Sequence, residues 1–334
     1  MAVIEVWKQN LMEQIELIAL LRRFFPIVAF DTEFSGFLRF TARHASEEER
    51  YSDLKYNVDN LRIIQLGISL FDASGRQPMP RVAWQINFSD FDPGVDSCSS
   101  ESMRLLKNSG INLQRNRREG VSSVRCAALL REKLFDHHSG SFVTFHGSYD
   151  VGYLMKMLTG GKPLPETLSE FVTAASTIFC GRLYDLKYMA RFCHGLHGGE
   201  LGLMKLASLL NVEADGVAHQ AGFDSLVIGL SFHKMRQRWV VEEDRDSMIL
   251  YGLQSTCQKI KNTSSNNPLR RPTMILPPPA MSPPCAFPPR HFSSGDHDGG
   301  IRHLLPATPH GTWFQWTPPR YSFPGTGVAM PYII

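Results

Sequence analysis

The sequence predicts an α/β fold in which helices flank a mixed sheet, followed by a disordered, Pro-rich C-terminal tail. Short apolar runs typical of buried strands alternate along the chain with segments in which apolar residues recur every three or four positions. Fifteen of the 21 prolines lie between Pro268 and Pro331. Proline lacks an amide hydrogen and fixes φ, so this stretch is predicted to be extended or disordered.

Each element follows from a local pattern. Apolar residues in steps of three and four predict a first helix over residues 3–25, through Ile4, Trp7, Leu11, Ile15, Ile18 and Leu21. Apolar runs predict strands at 26–33, 61–71, 82–88 and 141–146. Further helical patterns cover 100–108, 121–135, a segment that begins at Ser148, 166–178, 184–193, 201–210 and 223–238.

Composition divides the chain into a folded domain, residues 1–260, and the tail, residues 261–334, with a hinge at residues 264–267. The tail carries aromatic residues near its end, among them Trp313 and Trp316. Two interpretations of it stay open: a passenger segment, or a docking segment for a groove that binds polyproline helices.

Charge and cysteine usage restrict the possible functions. The net charge of +3 comes entirely from residues 268–334, so residues 1–267 are balanced. A folded part without a basic excess excludes binding of nucleic acid by bulk charge, and any such substrate requires a local groove, stacking or metal ions.

No apolar run is long enough to cross a membrane, and no secretory signal is evident. Six scattered cysteines without a C-x-x-C pair predict reduced thiols and an intracellular protein.

Acidic residues follow two of the predicted strands. Asp31 and Glu33 are two residues apart on a strand, so both side chains leave the same face, where a divalent cation would offset their repulsion. A D-x-E pair also arises by chance, but this one ends a hydrophobic strand, where open α/β sheets bind ligands. Asp150 lies at a strand-to-helix junction, where it could also be an ordinary first-turn acid.

His219 and Asp224 form the last part of the pattern. On an ideal helix they would be about 140° apart. They converge if Gly222 lets the chain bend, with His219 on a loop and Asp224 in a first helical turn; a purely structural histidine is the alternative. Together the four carboxylates could hold two magnesium ions for phosphodiester hydrolysis, with His219 accepting a proton from the attacking water.

The order D-x-E, D and H-x4-D resembles the DEDDh 3′→5′ exonuclease superfamily, whose fold is that of ribonuclease H. More narrowly, the chain resembles the CCR-four-associated factor one deadenylases, the Pop-type catalytic subunits of the CCR–NOT complex. The resemblance runs from about residue 4 to about residue 255. Its supporting segments are DTEF at 31–34, NVD at 57–59, IQLG at 64–67, FHGSYD at 145–150, YDLKYM at 184–189, HQAG at 219–222 and FHKM at 232–235.

This resemblance implies a poly(A)-specific 3′→5′ exoribonuclease that shortens mRNA tails and releases 5′-AMP. It implies two divalent ions, Mg²⁺ or Mn²⁺, bound by Asp31, Glu33, Asp150 and Asp224, with His219 as general base. It further implies a NOT scaffold subunit and a leucine-rich-repeat nuclease as partners, and location in cytoplasm and nucleus. Phe34 could stack on a terminal base, with packing in the core as the favoured alternative.

Two residues depart from the family pattern. Ser35 stands where proline is usual, and Phe223 stands where serine is usual, directly before Asp224. A bulky ring there could disturb the carboxylate and weaken activity. Three hypotheses therefore stay open: an active deadenylase, a DEDDh exonuclease that acts on another single-stranded nucleic acid, and a catalytically weakened adaptor subunit.

Overall fold

The strands of the computed structural model form one mixed sheet, which confirms the predicted fold class. They are β1 (Ala2–Val6), β2 (Ile27–Phe34), β3 (Ile63–Phe71), β4 (Val82–Asn87), β5 (Ser141–Thr144) and β6 (Leu183–Asp185). Their order is β1-β4-β3-β2-β5-β6. β3 is antiparallel to both of its neighbours, and the other three pairs are parallel. The structure describes residues 2–135, 140–180, 182–239 and 243–265.

Helices connect these strands and cover both faces of the sheet. They are α1 (Leu11–Arg22), α2 (Glu47–Asn60), α3 (Ser100–Asn108), α4 (Leu113–Glu119), α5 (Ser123–Leu130), α6 (Ser148–Leu158), α7 (Leu168–Ile178), α8 (Leu186–Met189), α9 (Leu203–Leu209), α10 (Ala221–Arg238), α11 (Glu243–Asp246) and α12 (Gln254–Ser265). A π-helical turn, Arg131–Phe135, continues α5. Within the described ranges, no helix is both long and apolar enough to cross a bilayer.

Side chains along β2 alternate between two cores. Val28 and Phe30 pack in the larger core with α1, α2, α5, α6 and α7. Ile27 and Ala29 pack in the smaller core with α8, α9 and α10. Because successive side chains of a strand point to opposite faces, the same alternation directs the next odd-numbered residues of β2 toward the face that α10 covers.

The N-terminal segment differs from the predicted helix over residues 3–25. Residues 2–6 form edge strand β1, which pairs in parallel with β4, and α1 begins only at Leu11. Between them the chain turns, and the backbone N–H of Trp7 donates to Oδ1 of Asn10 at 2.8 Å. Pairing with β4 is a tertiary interaction, so the helical spacing of Ile4 and Trp7 was misleading.

Other helix and strand boundaries in the structure also differ from the predicted ones. The segment predicted as a helix over 184–193 begins as β6, which pairs with β5, and α8 covers only four residues. Helix α2 was not predicted, although the capping box of Ser46 and Glu49 is its sequence signal. The last two residues of α12, Ser264 and Ser265, belong to the expected hinge. From residue 266 the Pro-rich tail lies outside the described residues, and the division at residue 260 stays a prediction.

The N-terminus of α10 lies directly against Gly67 in the middle of β3. A Cβ atom at Gly67 would overlap the backbone carbonyl of Ala221, the first residue of α10. Gly67 is paired with Asp31 on the neighbouring strand. A residue without a side chain at this position therefore lets the first turn of α10 approach Asp31.

We expect Gly67→Ala to destabilise the protein by about 1–3 kcal/mol, because the added methyl group forces α10 away from the sheet. Thermal unfolding followed by circular dichroism measures this change. Gly94→Ala is the matched control, since a Cβ atom there would lie 3.4 Å from its nearest neighbour, an ordinary contact. Equal melting temperatures for the two variants would contradict the proposed close approach.

Candidate active site

Asp150 is held by the residue between Asp31 and Glu33. The backbone N–H and the hydroxyl of Thr32 both donate to Oδ1 of Asp150, and the hydroxyl of Thr144 donates to Oδ2 at 3.3 Å. Asp150 is buried in the first turn of α6, which follows the parallel strand β5. The hydrogen bonds of Thr32 therefore join the carboxyl end of β2 to the start of α6. Sequence reasoning missed Thr32, and its place inside D-x-E was the available signal.

The turn that leads to Asp150 is fixed by a second buried acid, Asp185. Its carboxylate accepts hydrogen bonds from the backbone N–H groups of His146 (2.9 Å), Gly147 (3.2 Å), Lys187 (3.0 Å) and Tyr251 (3.0 Å). Asp185 is fully buried. In the sequence, Asp185 is recognisable only as part of the YDLKYM segment, because bonds to the backbone of distant residues leave no sequence signal.

His219 and Asp224 converge as the sequence analysis required. His219 lies on the loop before α10, and its backbone N–H donates to Oδ2 of Asp224 at 2.9 Å, in the first turn of the helix. The bend occurs at His219 itself, whose φ is +62°, and not at Gly222 as expected. Gly222 has another role, because a Cβ atom there would lie 2.9 Å from Cβ of Gln85.

Three glutamines hold the loop between His219 and α10. The side-chain carbonyl of Gln220 accepts from the amides of Gln65 (3.3 Å) and Gln85 (2.7 Å). In return, the side-chain oxygens of Gln65 and Gln85 accept from the backbone N–H groups of Ala221 and Gly222. These bonds satisfy backbone donors at the start of α10 that no residue within the helix can satisfy. The network connects His219 to the two central strands, and sequence reasoning did not detect it.

The predicted site residues therefore come together from β2, α6 and the start of α10. Ligand atoms of Glu33, His219 and Asp224 all lie within 4.8 Å of one another. Asp31 lies close enough to Asp150, Asp224 and Glu33 for their charges to repel it. The charge of Asp150 also repels Glu33. Asp150 and Asp224 are buried, whereas His219 is exposed to solvent.

Burial and mutual repulsion make it unfavourable for all four carboxyl groups of the site to be ionised at the same time. Burial, followed by the charges of Asp150, Asp224 and Glu33, holds the pKa of Asp31 well above its usual range. Burial and the charges of Asp224 and Asp150 raise the pKa of Glu33 to about 8. Burial raises the pKa of Asp224 to about 7, against the opposing hydrogen bond from His219. Burial also raises the pKa of Asp150 to about 6, although bonds from Thr32 and Thr144 oppose it.

The donor set fits divalent cations. Among the described residues, no arginine, lysine or histidine forms an ion pair with Asp31, Glu33, Asp150 or Asp224. Oδ1 of Asp224 is buried and has no hydrogen-bond partner in the part of the chain that the structure describes. A buried carboxylate oxygen without a partner is costly, and hard cations such as Mg²⁺ and Mn²⁺ prefer oxygen ligands. A cation here would satisfy that oxygen and remove the repulsion.

Phe34 lies in an aromatic cluster beside these carboxylates. Its half-buried ring stacks on Tyr153, with ring centres 4.7 Å apart, and on Tyr149, with ring centres 5.5 Å apart. These contacts support the packing role that the sequence analysis allowed for Phe34. Contact with a terminal base stays a prediction.

The two departures from the family pattern do not disturb the carboxylates. Phe223 is buried with Ala207 and Val227, on the side of α10 that faces α9. Ser35 is also fully buried. Its backbone N–H donates to the carbonyl of Arg62 at 3.0 Å, a bond that proline could not form.

We expect the metal-free protein to lose stability as pH rises from about 5 to 8. The folded pKa values of Asp150, Asp224 and Glu33 are raised to about 6, 7 and 8, so the folded state retains protons that the unfolded chain has released. Differential scanning fluorimetry should show a falling melting temperature. Mg²⁺ or Mn²⁺ at a hundred times its dissociation constant should raise it at pH 8 by roughly 5–10 °C.

Asp31→Asn provides the test of this interpretation. Replacing this buried carboxyl group with a neutral amide should raise the melting temperature of the metal-free protein at pH 8 and reduce the gain from metal. Glu16→Gln, which changes an exposed acid on α1, should do neither. A melting temperature that is independent of both pH and metal in the unmodified protein would contradict the pKa shifts.

Comparison with known proteins identifies relatives of this chain. The family model "CAF1 family ribonuclease" matches residues 6–140. The probable CCR4-associated factor 1 homolog 7 of Arabidopsis thaliana is 40% identical over 258 residues, which cover 75% of this chain and 92% of the relative.

Two solved structures share the fold. The Mg²⁺- and Mn²⁺-bound form of S. pombe Pop2p matches with a TM-score of 0.70 and 33% identity, over 75% of this chain and 99% of Pop2p. A structure of the yeast NOT1 MIF4G domain co-crystallised with CAF1 matches with a TM-score of 0.64 and 27% identity, over 75% of this chain and 96% of that chain. The ribonuclease H-like fold expected from the resemblance is confirmed, and the chain belongs to the CAF1 family of ribonucleases.

Proposed function

We propose that this protein is a 3′→5′ exoribonuclease that shortens the poly(A) tails of mRNA and releases 5′-AMP. The observation that carries the proposal is the convergence of Glu33, His219 and Asp224 within 4.8 Å, beside Asp31 and Asp150, in a chain of the CAF1 family. Four carboxylates that form no ion pair with a basic side chain among the described residues suit phosphodiester hydrolysis with two divalent ions, Mg²⁺ or Mn²⁺.

In this proposal each side chain has a defined task. The two ions are held by Asp31, Glu33, Asp150 and Asp224. When bound, these ions lower the pKa of the attacking water and stabilise charge on the phosphate. The exposed imidazole of His219 accepts the proton of that water and passes it to solvent. The bond from the N–H of His219 to Asp224 keeps this base beside the metal ligands.

We further propose that the protein acts as a subunit of a CCR–NOT complex in cytoplasm and nucleus. Support comes from a related CAF1, which was co-crystallised with the NOT1 MIF4G domain. The proposed partners are a NOT scaffold subunit and a leucine-rich-repeat nuclease, with the 3′ end of poly(A) RNA as substrate.

The adaptor hypothesis is weakened by the position of Phe223. This residue was the reason for suspecting lost activity, yet its ring is buried with Ala207 and Val227 and leaves Asp224 in the first turn of α10. Action on a different single-stranded nucleic acid has no such observation against it, so the substrate must be tested directly.

We expect the full chain to shorten a 5′-labelled RNA that ends in about twenty adenosines, with Mg²⁺ or Mn²⁺ present. Products should form a ladder from the 3′ end that stops near the non-A body, as gel electrophoresis would show. Asp31→Ala should be inactive, because it removes a proposed metal ligand. No shortening by folded protein under either metal would overturn the proposed activity.

Substrate preference separates the first two hypotheses. In a competition assay with equal-length poly(A), poly(U) and single-stranded DNA, a poly(A)-specific enzyme should degrade poly(A) fastest. Equal rates on all three would reject poly(A) specificity and leave a general exonuclease.

We expect Phe223→Ser to leave the rate of poly(A) shortening within about twofold and to lower stability instead. Loss of a buried aromatic ring costs about 3–5 kcal/mol when it is truncated to a small side chain. Initial rates and melting temperatures of the same preparations measure both effects. A rate increase of tenfold or more in the variant would revive the adaptor hypothesis.

A further inference from the structure

We propose that the loop of residues 37–44, which follows the metal-binding strand β2, is a binding platform for the single-stranded RNA upstream of its 3′ end. The inference rests on the proposed ribonuclease function and adds a substrate subsite to it. In this platform a base stacks on Phe40, and phosphates contact Arg39 and Arg43. None of these three residues belongs to the carboxylate site.

The loop exposes an aromatic ring among basic side chains. Phe40 is 75% exposed, the largest exposed fraction of any aromatic ring among the described residues, and Arg39, Arg43 and His44 beside it are also exposed. The guanidinium of Arg39 lies over the ring of Tyr56, 3.5 Å from its centre. Alternation of aromatic and basic side chains is typical of surfaces that bind single-stranded nucleic acid.

The arginines of the loop have donors available for phosphate. Among the described residues, neither Arg39 nor Arg43 forms an ion pair with a carboxylate. The acids of the following helix are partly occupied: Glu47 accepts from the backbone of Ser255 and Thr256, and Glu49 accepts from Ser46. Arginines that have no carboxylate partner among the described residues, beside an exposed ring, are complementary in charge to an RNA backbone.

Helix α2 holds the loop in place before any ligand binds. Asn57 is fully buried, and its side-chain oxygen accepts from the backbone N–H groups of Leu38 (2.8 Å) and Arg39 (2.9 Å). Its amide donates to the carbonyl of Arg39 (2.8 Å) and to the hydroxyl of Tyr149 (3.0 Å). The hydroxyl of Thr41 donates to Asp53. A loop fixed in this way loses little conformational entropy on binding.

The platform is continuous with the carboxylate site. The ring of Phe34, next to Glu33, lies 5.3 Å from that of Phe37, which lies 6.0 Å from that of Phe40. Asn57 also bonds to Tyr149, the residue before Asp150. A short stretch of single strand could therefore reach from Phe40 to the metal ligands, and this continuity favours RNA as the occupant over a protein partner.

The test measures binding of a 5′-fluorescein-labelled RNA of twelve adenosines by fluorescence anisotropy, in the full chain carrying Asp31→Asn to prevent hydrolysis. Phe40→Ala should raise the dissociation constant about 5- to 30-fold, because base–aromatic stacking is lost. Phe40→Trp should bind at least as tightly as the parent. Phe24→Ala is the matched control, since Phe24 is 69% exposed and precedes the opposite end of β2.

Salt dependence tests the phosphate contacts separately. Arg39→Ala should reduce the slope of log binding constant against log salt concentration by about 0.7, the value for one phosphate contact on a single strand. In the hydrolytically active protein, Phe40→Ala should raise KM more than it lowers kcat.

The outcomes also separate this inference from the proposed function. If the active protein shortens RNA but Phe40→Ala and Arg39→Ala bind like their parent, the platform is rejected and the ribonuclease stands. If the unmodified protein hydrolyses no RNA, the proposed function fails, whereas the anisotropy series still decides whether the loop binds RNA. Equal weakening by Phe24→Ala and Phe40→Ala would also reject the platform.

Discussion

The contact between α10 and Gly67 determines where the candidate active site forms. Gly67 pairs with Asp31, and the absence of a side chain there lets the carbonyl of Ala221 lie against the sheet. The first turn of α10 then brings Asp224, and the loop before it brings His219, to the end of β2. Any side chain at position 67 would separate these groups, because backbone atoms of a helix cannot move aside as a flexible side chain can.

Bringing these acids together has an unfavourable electrostatic energy. Burial raises the pKa of Asp31, Glu33, Asp150 and Asp224, and the charges of neighbouring acids raise the first two further. Hydrogen bonds from Thr32 and His219 offset only part of this cost. An acidic cluster of this kind is stable at neutral pH when cations share its oxygens, which links the stability of the fold to the proposed activity.

Buried polar side chains supply the rigidity that the site needs. Asp185 fixes the turn before Asp150, the glutamines at 65, 85 and 220 fix the start of α10, and Asn57 fixes the loop after β2. Each forms hydrogen bonds with backbone groups of loops, turns or helix ends. The site and the proposed RNA platform thus depend on the same kind of support, in which amide and carboxylate side chains replace secondary-structure hydrogen bonds.

The sequence by itself determined the α/β class and the set of acids and histidine that the structure brings together, while the boundary with the Pro-rich tail stays a prediction. Strand and helix periodicity and the order of D-x-E, D and H-x4-D are local, so they can be read from neighbouring residues. Only the tertiary structure decided that residues 2–6 form a strand, that the bend lies at His219 and that Phe223 packs against α9. These features depend on strand pairing and helix packing between distant segments, which no local pattern records.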